Sequence, residues 1–503
     1  MPMLPQAAIR TPVSKTPIYL FAGFLIALFL LHGPALITPW WYMDDYNHYD
    51  PEYGIWQTLR GGWRTARLLL GIWLAPIQWD APPDSNGWNL LFRWLLLALH
   101  AANATLIARL LWKRIGPSSA ILSSLLFVLW PFQGQAVLWL SAAIYPIGTT
   151  LSLLGLIFIL QGTPSKRSAP AKCLAGAALI AAAAQTNQAV AVAAPLLFLL
   201  LLALDLLLGE RLSPKQVIRQ LLWLSLPLAA SGLLSTLIMR LTGLSRLYDS
   251  SLIERIQFAT TEALNVLYQL PLYSSFNATL NLLLTLAYLA CLCWSLYHRF
   301  MRFPAFIGLA ILPLLIAFGA LAPVIASGST WPSLRILHLL PLAFSSMAAV
   351  GFLLSRQCPP LRMLLTVLCL ALPLSGIPNA RKLASEYVAL YQAEKTVFAQ
   401  IEAAAASHGT SKVAFMDWSR SGPWRENPFS LASLYGDNLR TILHIDWGNW
   451  RAAYSMTQLQ PIPPEEAESL RHQSHATALM LPHDDPFRFL FLPTHDTLLV
   501  VPR

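Results

Sequence analysis

Charge is scarce in this chain. Asp, Glu, Lys and Arg make up 12% of its 503 residues, against 56% hydrophobic residues and a mean hydropathy of +0.53. About a quarter of the residues of a soluble globular domain are charged, so this balance excludes that class and predicts a polytopic membrane protein. Cysteine is sparse as well. Cys173, Cys291, Cys293, Cys358 and Cys369 all lie in or beside apolar runs, which excludes a disulfide framework in the segments between those runs. Cys291 and Cys293 have no His or further Cys nearby and read as packing residues rather than metal ligands. Also missing are a Walker A loop, a dinucleotide-binding glycine pattern and a G-x-S-x-G elbow, so no motif points to nucleotide-driven, dinucleotide-dependent or serine-hydrolase chemistry.

Long apolar runs are abundant. A helix needs about 20 apolar residues to cross the hydrocarbon core, and inside lipid the backbone must satisfy itself. Runs at 18–37, 88–112, 119–139, 143–161, 173–187, 189–208, 220–240, 279–297, 304–325, 334–354 and 361–377 are read as spans, about 11 in all. The first run is long and lacks a small-x-small cleavage site, so it reads as a span rather than a signal peptide. The net charge of +10 is spread over short loops, which argues against a nucleic-acid face. Arg10 and Lys15, Lys113 and Arg114, Lys166 to Lys172, Arg211 to Arg219, Arg299 and Arg302, and Arg356 and Arg362 occupy alternate connections. The positive-inside rule makes those connections and the N-terminus cytoplasmic and the C-terminus external.

This divides the chain into a membrane domain, 1–378, and a C-terminal unit, 379–503. Two external regions interrupt the first, at 38–87 and 241–278. The second contains SLIERIQFATTEALNVLYQLP, which has the helical spacing of an amphipathic interfacial segment, although one more short span would also fit. After Pro378, SEYVALYQAEKTVFAQIEAAAA predicts a helix. KVAFMDW, ATALMLP, FRFLFLP and TLLVVPR predict strands of a small α/β domain. The alanine-rich AGAALIAAAAQ near Ala175 predicts a close-packing helix face.

The residues suited to chemistry gather in the first external loop. Asp44 and Asp45 follow Trp40, Trp41 and Tyr42 and precede Tyr46 and Tyr49, aromatics that belong at headgroup level and hold a loop to the membrane. Carboxylates there are costly unless hydrated or engaged. Arg60, Arg64 and Arg67 follow, and a guanidinium fork can take phosphate oxygens two at a time. Arg93 lies at the near end of the second span and Arg335 at the start of a late one, which adds two further cations for phosphate. His338, Tyr46, Trp63 and Glu52 are candidate substrate contacts. His100 and Asn103 read as interhelical hydrogen-bonding groups, and Gln185, Asn187 and Gln188 as a polar structural turn.

The sequence MDD just after the first span, followed by an aromatic loop with GGWRTARLL, resembles polytopic glycosyltransferases of the GT-C fold, in particular bacterial membrane glucosyltransferases that modify O-antigen. FVLWPFQGQAVLWLSAAIYPIG is similar to a Pro-rich span junction of that group, with Gln133 and Gln135 where many members carry His and Glu. SLRILHLLPLAF is similar to its R-x-L-x-x-x-P pattern.

The resemblance implies transfer of a sugar from a polyprenyl-phosphate donor to a glycan, lipid or protein acceptor, at the periplasmic face of the bacterial inner membrane. It implies that Asp44 and Asp45 are catalytic. One would act as the base, and the other would orient it or help hold a divalent cation such as Mg or Mn. Three other functions fit a membrane chain: a lipid or glycan transporter or flippase, an O-antigen-ligase-like enzyme, and a non-catalytic assembly protein. Transporters bury ionisable groups near the midplane, whereas the reactive groups here collect at one surface.

Overall fold

Apolar residues run through nearly every long segment, and the chain answers with helices. In the computed structural model the described residues are 16–38, 40, 59–60, 69–74, 88–129, 142–162, 168–210, 213–242, 251–264, 275–327, 338–415, 453, 457–462, 466–467, 470, 477–478 and 487–502. Their helices are α1 (Thr16–Ile37), α2 (Leu70–Leu74), α3 (Trp88–Ile115), α4 (Pro117–Val128), α5 (Ile144–Gln161), α6 (Ala169–Thr186) and α7 (Gln188–Ala191). They continue with α8 (Ala193–Leu207), α9 (Pro214–Leu241), α10 (Leu252–Leu264), α11 (Ser275–Tyr297), α12 (Phe303–Ser327), α13 (Pro341–Leu354) and α14 (Pro359–Ser407). Eight of the described helices, with α7 and α8 taken as one, are long and apolar enough to cross a membrane. The chain is a polytopic, membrane-embedded helical protein.

The expected spans 119–139, 173–187 and 334–354 are described in part or at the edge of spanning length. They appear as α4 with 12 residues, α6 with 18 and α13 with 14. All of α13 from Pro341 to Leu353 is buried, as befits a helix that is apolar on every side. α5 and α6 approach closely because glycines face each other. A Cβ on Gly176 would lie 2.7 Å from the carbonyl oxygen of Gly155, and one on Gly155 would lie 2.8 Å from that of Gly176. This is the close contact that the alanine-rich segment predicted. At 13 residues α10 reaches about 20 Å, short of the hydrocarbon core. Its Leu252 and Ile253 are exposed while Ala259 is buried.

At the C-terminal end of α3, Arg114 forms a bidentate pair with Asp205, Nε to Oδ1 at 2.6 Å and Nη2 to Oδ2 at 2.7 Å. Arg356, in the turn between α13 and α14, donates to the Arg114 carbonyl. Burial, and secondarily the nearby Arg362, pulls the Arg356 guanidinium below its ordinary value.

α14 is the unexpected element. It runs for 49 residues, about 74 Å, through Pro373 and Pro378. The boundary drawn at Pro378 therefore falls inside a continuous helix. Each proline removes one helical N–H, but a buried stripe of Leu383, Tyr387, Leu390, Tyr391, Phe398 and Ile401 carries the helix onward. Beyond it lies a sheet in the order β2-β1-β5-β4-β3, made of Lys412–Phe415 (β1), Gln460–Pro461 (β2), Thr477–Ala478 (β3), Phe487–Leu492 (β4) and Thr497–Pro502 (β5). β1 is parallel to β2 and β5, and β4 pairs antiparallel with β3 and β5. Asp496 takes the left-handed conformation, φ 47°, that closes the β4–β5 turn. Phe398 meets Phe415 edge to face at 6.4 Å, which ties α14 to the sheet.

Candidate active site at the ends of the first loop

The chain leaves α1 at Trp40, four residues before Asp44. Trp40 is fully buried, and its Nε1 donates to the Ala35 carbonyl at 2.9 Å. Its own carbonyl accepts from Asn89 Nδ2 at 3.1 Å and from Arg93 Nη2. The Arg93 guanidinium carbon lies 3.8 Å from the centroid of the Trp40 ring, and Tyr387 of α14 stacks on that ring at 4.8 Å, 20° from parallel. A ring has two faces, so the indole is held between a cation from α3 and a phenol from α14. Arg93 is buried completely, unlike an arginine that reaches out to headgroups.

The loop returns at Leu69 to Leu74. Leu69 N donates to the Gln185 carbonyl at 3.2 Å, and Trp73 Nε1 donates to Thr186 Oγ1 at 3.1 Å. The half-buried Trp73 and Phe92 pack against a cluster of Leu96, Ala143 and Ile147. Both ends of the loop are thus fastened around the first turns of α3, through Asn89 and Arg93 at one end and beside Phe92 and Leu96 at the other. Asp44, Asp45, Tyr46, Glu52, Trp63, Arg64, Arg67 and Arg335 lie outside the described residues, and Arg60 is exposed.

Asn89, Arg93, His100 and Asn103 share one face of α3, since offsets of 4, 11 and 14 residues place the other three within about 40° of Asn89, an arc of about 80° in all. All four are buried. Asn103 Nδ2 donates to the Pro146 carbonyl at 3.1 Å, and Thr150 Oγ1 donates to Asn103 Oδ1 at 2.8 Å, the interhelical role expected of it. The contact of His100 is looser. Its ring nitrogens make no hydrogen bond of good geometry, although the Val128 backbone approaches the ring. Its centroid is 5.6 Å from that of His338, whose Nε2 sits 3.2 Å from Thr149 Oγ1. His338, expected as a substrate contact, is 2% exposed in the packed interior beside Phe127 and Tyr145.

Several contributors escaped the sequence reading. His32 of α1 is buried near His100, and a lone histidine within an apolar span was the available signal. Glu386 and Glu394 are buried on α14 on either side of the Tyr387–Tyr391 stripe, with Lys382 Nζ 3.8 Å from Glu386 Oε1. Acids at the buried positions of a helical period were the signal there. No group of three His, Cys, Asp or Glu among the described residues has the geometry to hold a metal ion. Comparison of the chain with protein-family models, with curated proteins and with solved structures finds no match.

Proposed function

We propose that the chain is a GT-C-like membrane glycosyltransferase that uses a polyprenyl-phosphate sugar at the external face of the bacterial inner membrane. The observation that carries the reading is Arg93, a fully buried cation clamped on Trp40 at the root of the loop that contains both aspartates. Four residues of chain reach at most about 14 Å, so Asp44 cannot leave the neighbourhood of that cation. A guanidinium in a low-dielectric setting stabilises a nearby carboxylate or phosphate more than it would in water.

In this mechanism an acceptor hydroxyl attacks the anomeric carbon while the bond from that carbon to the phosphate oxygen breaks. The hydroxyl proton passes to the carboxylate of Asp44 or Asp45 and then to water. The lipid phosphate leaves with the bonding electrons, and the configuration of the sugar inverts. Arg60, Arg64, Arg67 and Arg335 supply cations for the phosphate, and the lipid tail stays in the bilayer beside the helices.

The buried histidines His32, His100 and His338 favour one second reading, a transporter that binds substrate within the bundle. Mass spectrometry of envelope glycans, glycolipids and glycoproteins, from cells with and without the gene, separates the two. Loss of one hexose or pentose increment from a mature glycoconjugate supports transfer. Accumulation of a lipid-linked precursor with its sugar intact supports transport.

A further inference from the structure

The junction of α6 and α7 carries three long polar side chains, Gln185 in the last turn of α6, Asn187 between the helices and Gln188 at the start of α7, and two of them do structural work. Asn187 Oδ1 accepts from Ala189 N at 2.8 Å and caps α7. Gln188 Nε2 donates to Ser235 Oγ at 3.1 Å, which ties the turn to α9. Gln185 does neither. Its side chain is 8% exposed, and both its Nε2 and its Oε1 are without a hydrogen-bond partner. A buried amide with both ends unmade is unfavourable, and natural chains keep such groups where something else completes them. The backbone carbonyl of the same residue holds Leu69, and its neighbour Thr186 holds Trp73. The spare amide therefore stands where the arginine-bearing loop docks.

The chemistry of an amide selects its ligand. It offers two N–H donors and one carbonyl acceptor. Phosphate can only accept, and an ammonium can only donate, so each leaves half of it unmet. Adjacent sugar hydroxyls donate and accept together. We propose that Gln185 is a sugar-recognition residue, its carboxamide pairing with hydroxyls of the hexose or pentose on the lipid carrier. This rests on the glycosyltransferase reading and names the part of the donor that the turn recognises.

The test uses the purified full chain in lipid nanodiscs, with undecaprenyl phosphate and undecaprenyl-phosphate-linked glucose, galactose, mannose and arabinose as probes. The wild type should bind at least one sugar-bearing carrier about tenfold more tightly than the bare carrier. Gln185→Leu should bring the two affinities within about threefold while bare-carrier binding stays unchanged. Its ligand-free Tm should stay level or rise, because an unpaired buried amide has been removed. Gln185→Met should behave alike. A ligand-free Tm that falls in both variants would mean that the amide is structural or bonded through a buried water, and would overturn the proposal. A wild type that distinguishes sugars alongside variants that still do so overturns this inference alone. A wild type that makes no distinction overturns it together with the glycosyltransferase reading.

Discussion

Arg93 lies 3.8 Å over the ring of Trp40 and also donates a hydrogen bond to its carbonyl, so one guanidinium fixes both the plane and the position of the residue that starts the acidic loop. Trp40→Ala removes a fully buried ring and should lower stability by about 3–5 kcal/mol. Trp40→Phe keeps both stacking faces and loses the bond to Ala35, a cost of about 1 kcal/mol. Thermal denaturation of the purified variants measures both. Equal losses for Ala and Phe would refute the sandwich with Arg93 and Tyr387.

Arg93→Lys keeps the charge but not the flat fork that lies over indole and reaches the carbonyl. We expect it to insert normally and to reduce sugar transfer by about tenfold or more, roughly the value of one charge-assisted hydrogen bond. Turnover at matched membrane abundance is the measurement, and wild-type turnover in this variant would remove Arg93 from the site.

A methyl group on Gly176 would meet α5 at the Gly155 carbonyl oxygen, 2.7 Å, and at the Ile159 backbone nitrogen, 3.2 Å. Gly176→Ala should push α5 and α6 apart and lower stability by about 1–3 kcal/mol. Gly232, with nothing near its would-be Cβ, is the control, and Gly232→Ala should be neutral or slightly stabilising. A reversed order in their melting temperatures would show that the helices do not meet at Gly155 and Gly176.

The charge alternation also predicts that a reporter fused after Arg503 is active only on the external side of the membrane. A periplasm-dependent and a cytoplasm-dependent reporter, compared in the same cells, decide it. Cytoplasmic activity would reverse the topology and place the aspartate loop on the wrong face for the proposed donor.

Much of the fold was legible because apolar length and loop charge are local signals. The eight long apolar helices, the helix at Leu252–Leu264 and the strands at Lys412–Phe415, Phe487–Leu492 and Thr497–Pro502 all follow from them. α14 was not legible as one helix. From sequence the last span ends at 377 and the domain boundary falls at Pro378, and only the buried face contributed by distant segments reveals why the helix passes that proline. The same limit applies at the site. Arg93 could be picked from sequence as a cation near the loop, but Tyr387, which stacks on the same indole, lies almost 300 residues further along the chain, and no local pattern joins them. Gln185 illustrates the converse. A turn explains polar residues so well that the idle one becomes visible only once Asn187 and Gln188 have been assigned their bonds.

The most direct test of the central claim replaces the two carboxylates. Asp44→Asn, Asp45→Asn and the double variant should insert at wild-type levels and keep the wild-type melting temperature. Mass spectrometry of the envelope glycoconjugates from cells carrying each variant then reads the sugar increment. At least one single variant and the double variant should lose that increment by about a hundredfold or more, as expected when a general base is removed. A full increment from the double variant would contradict the central claim.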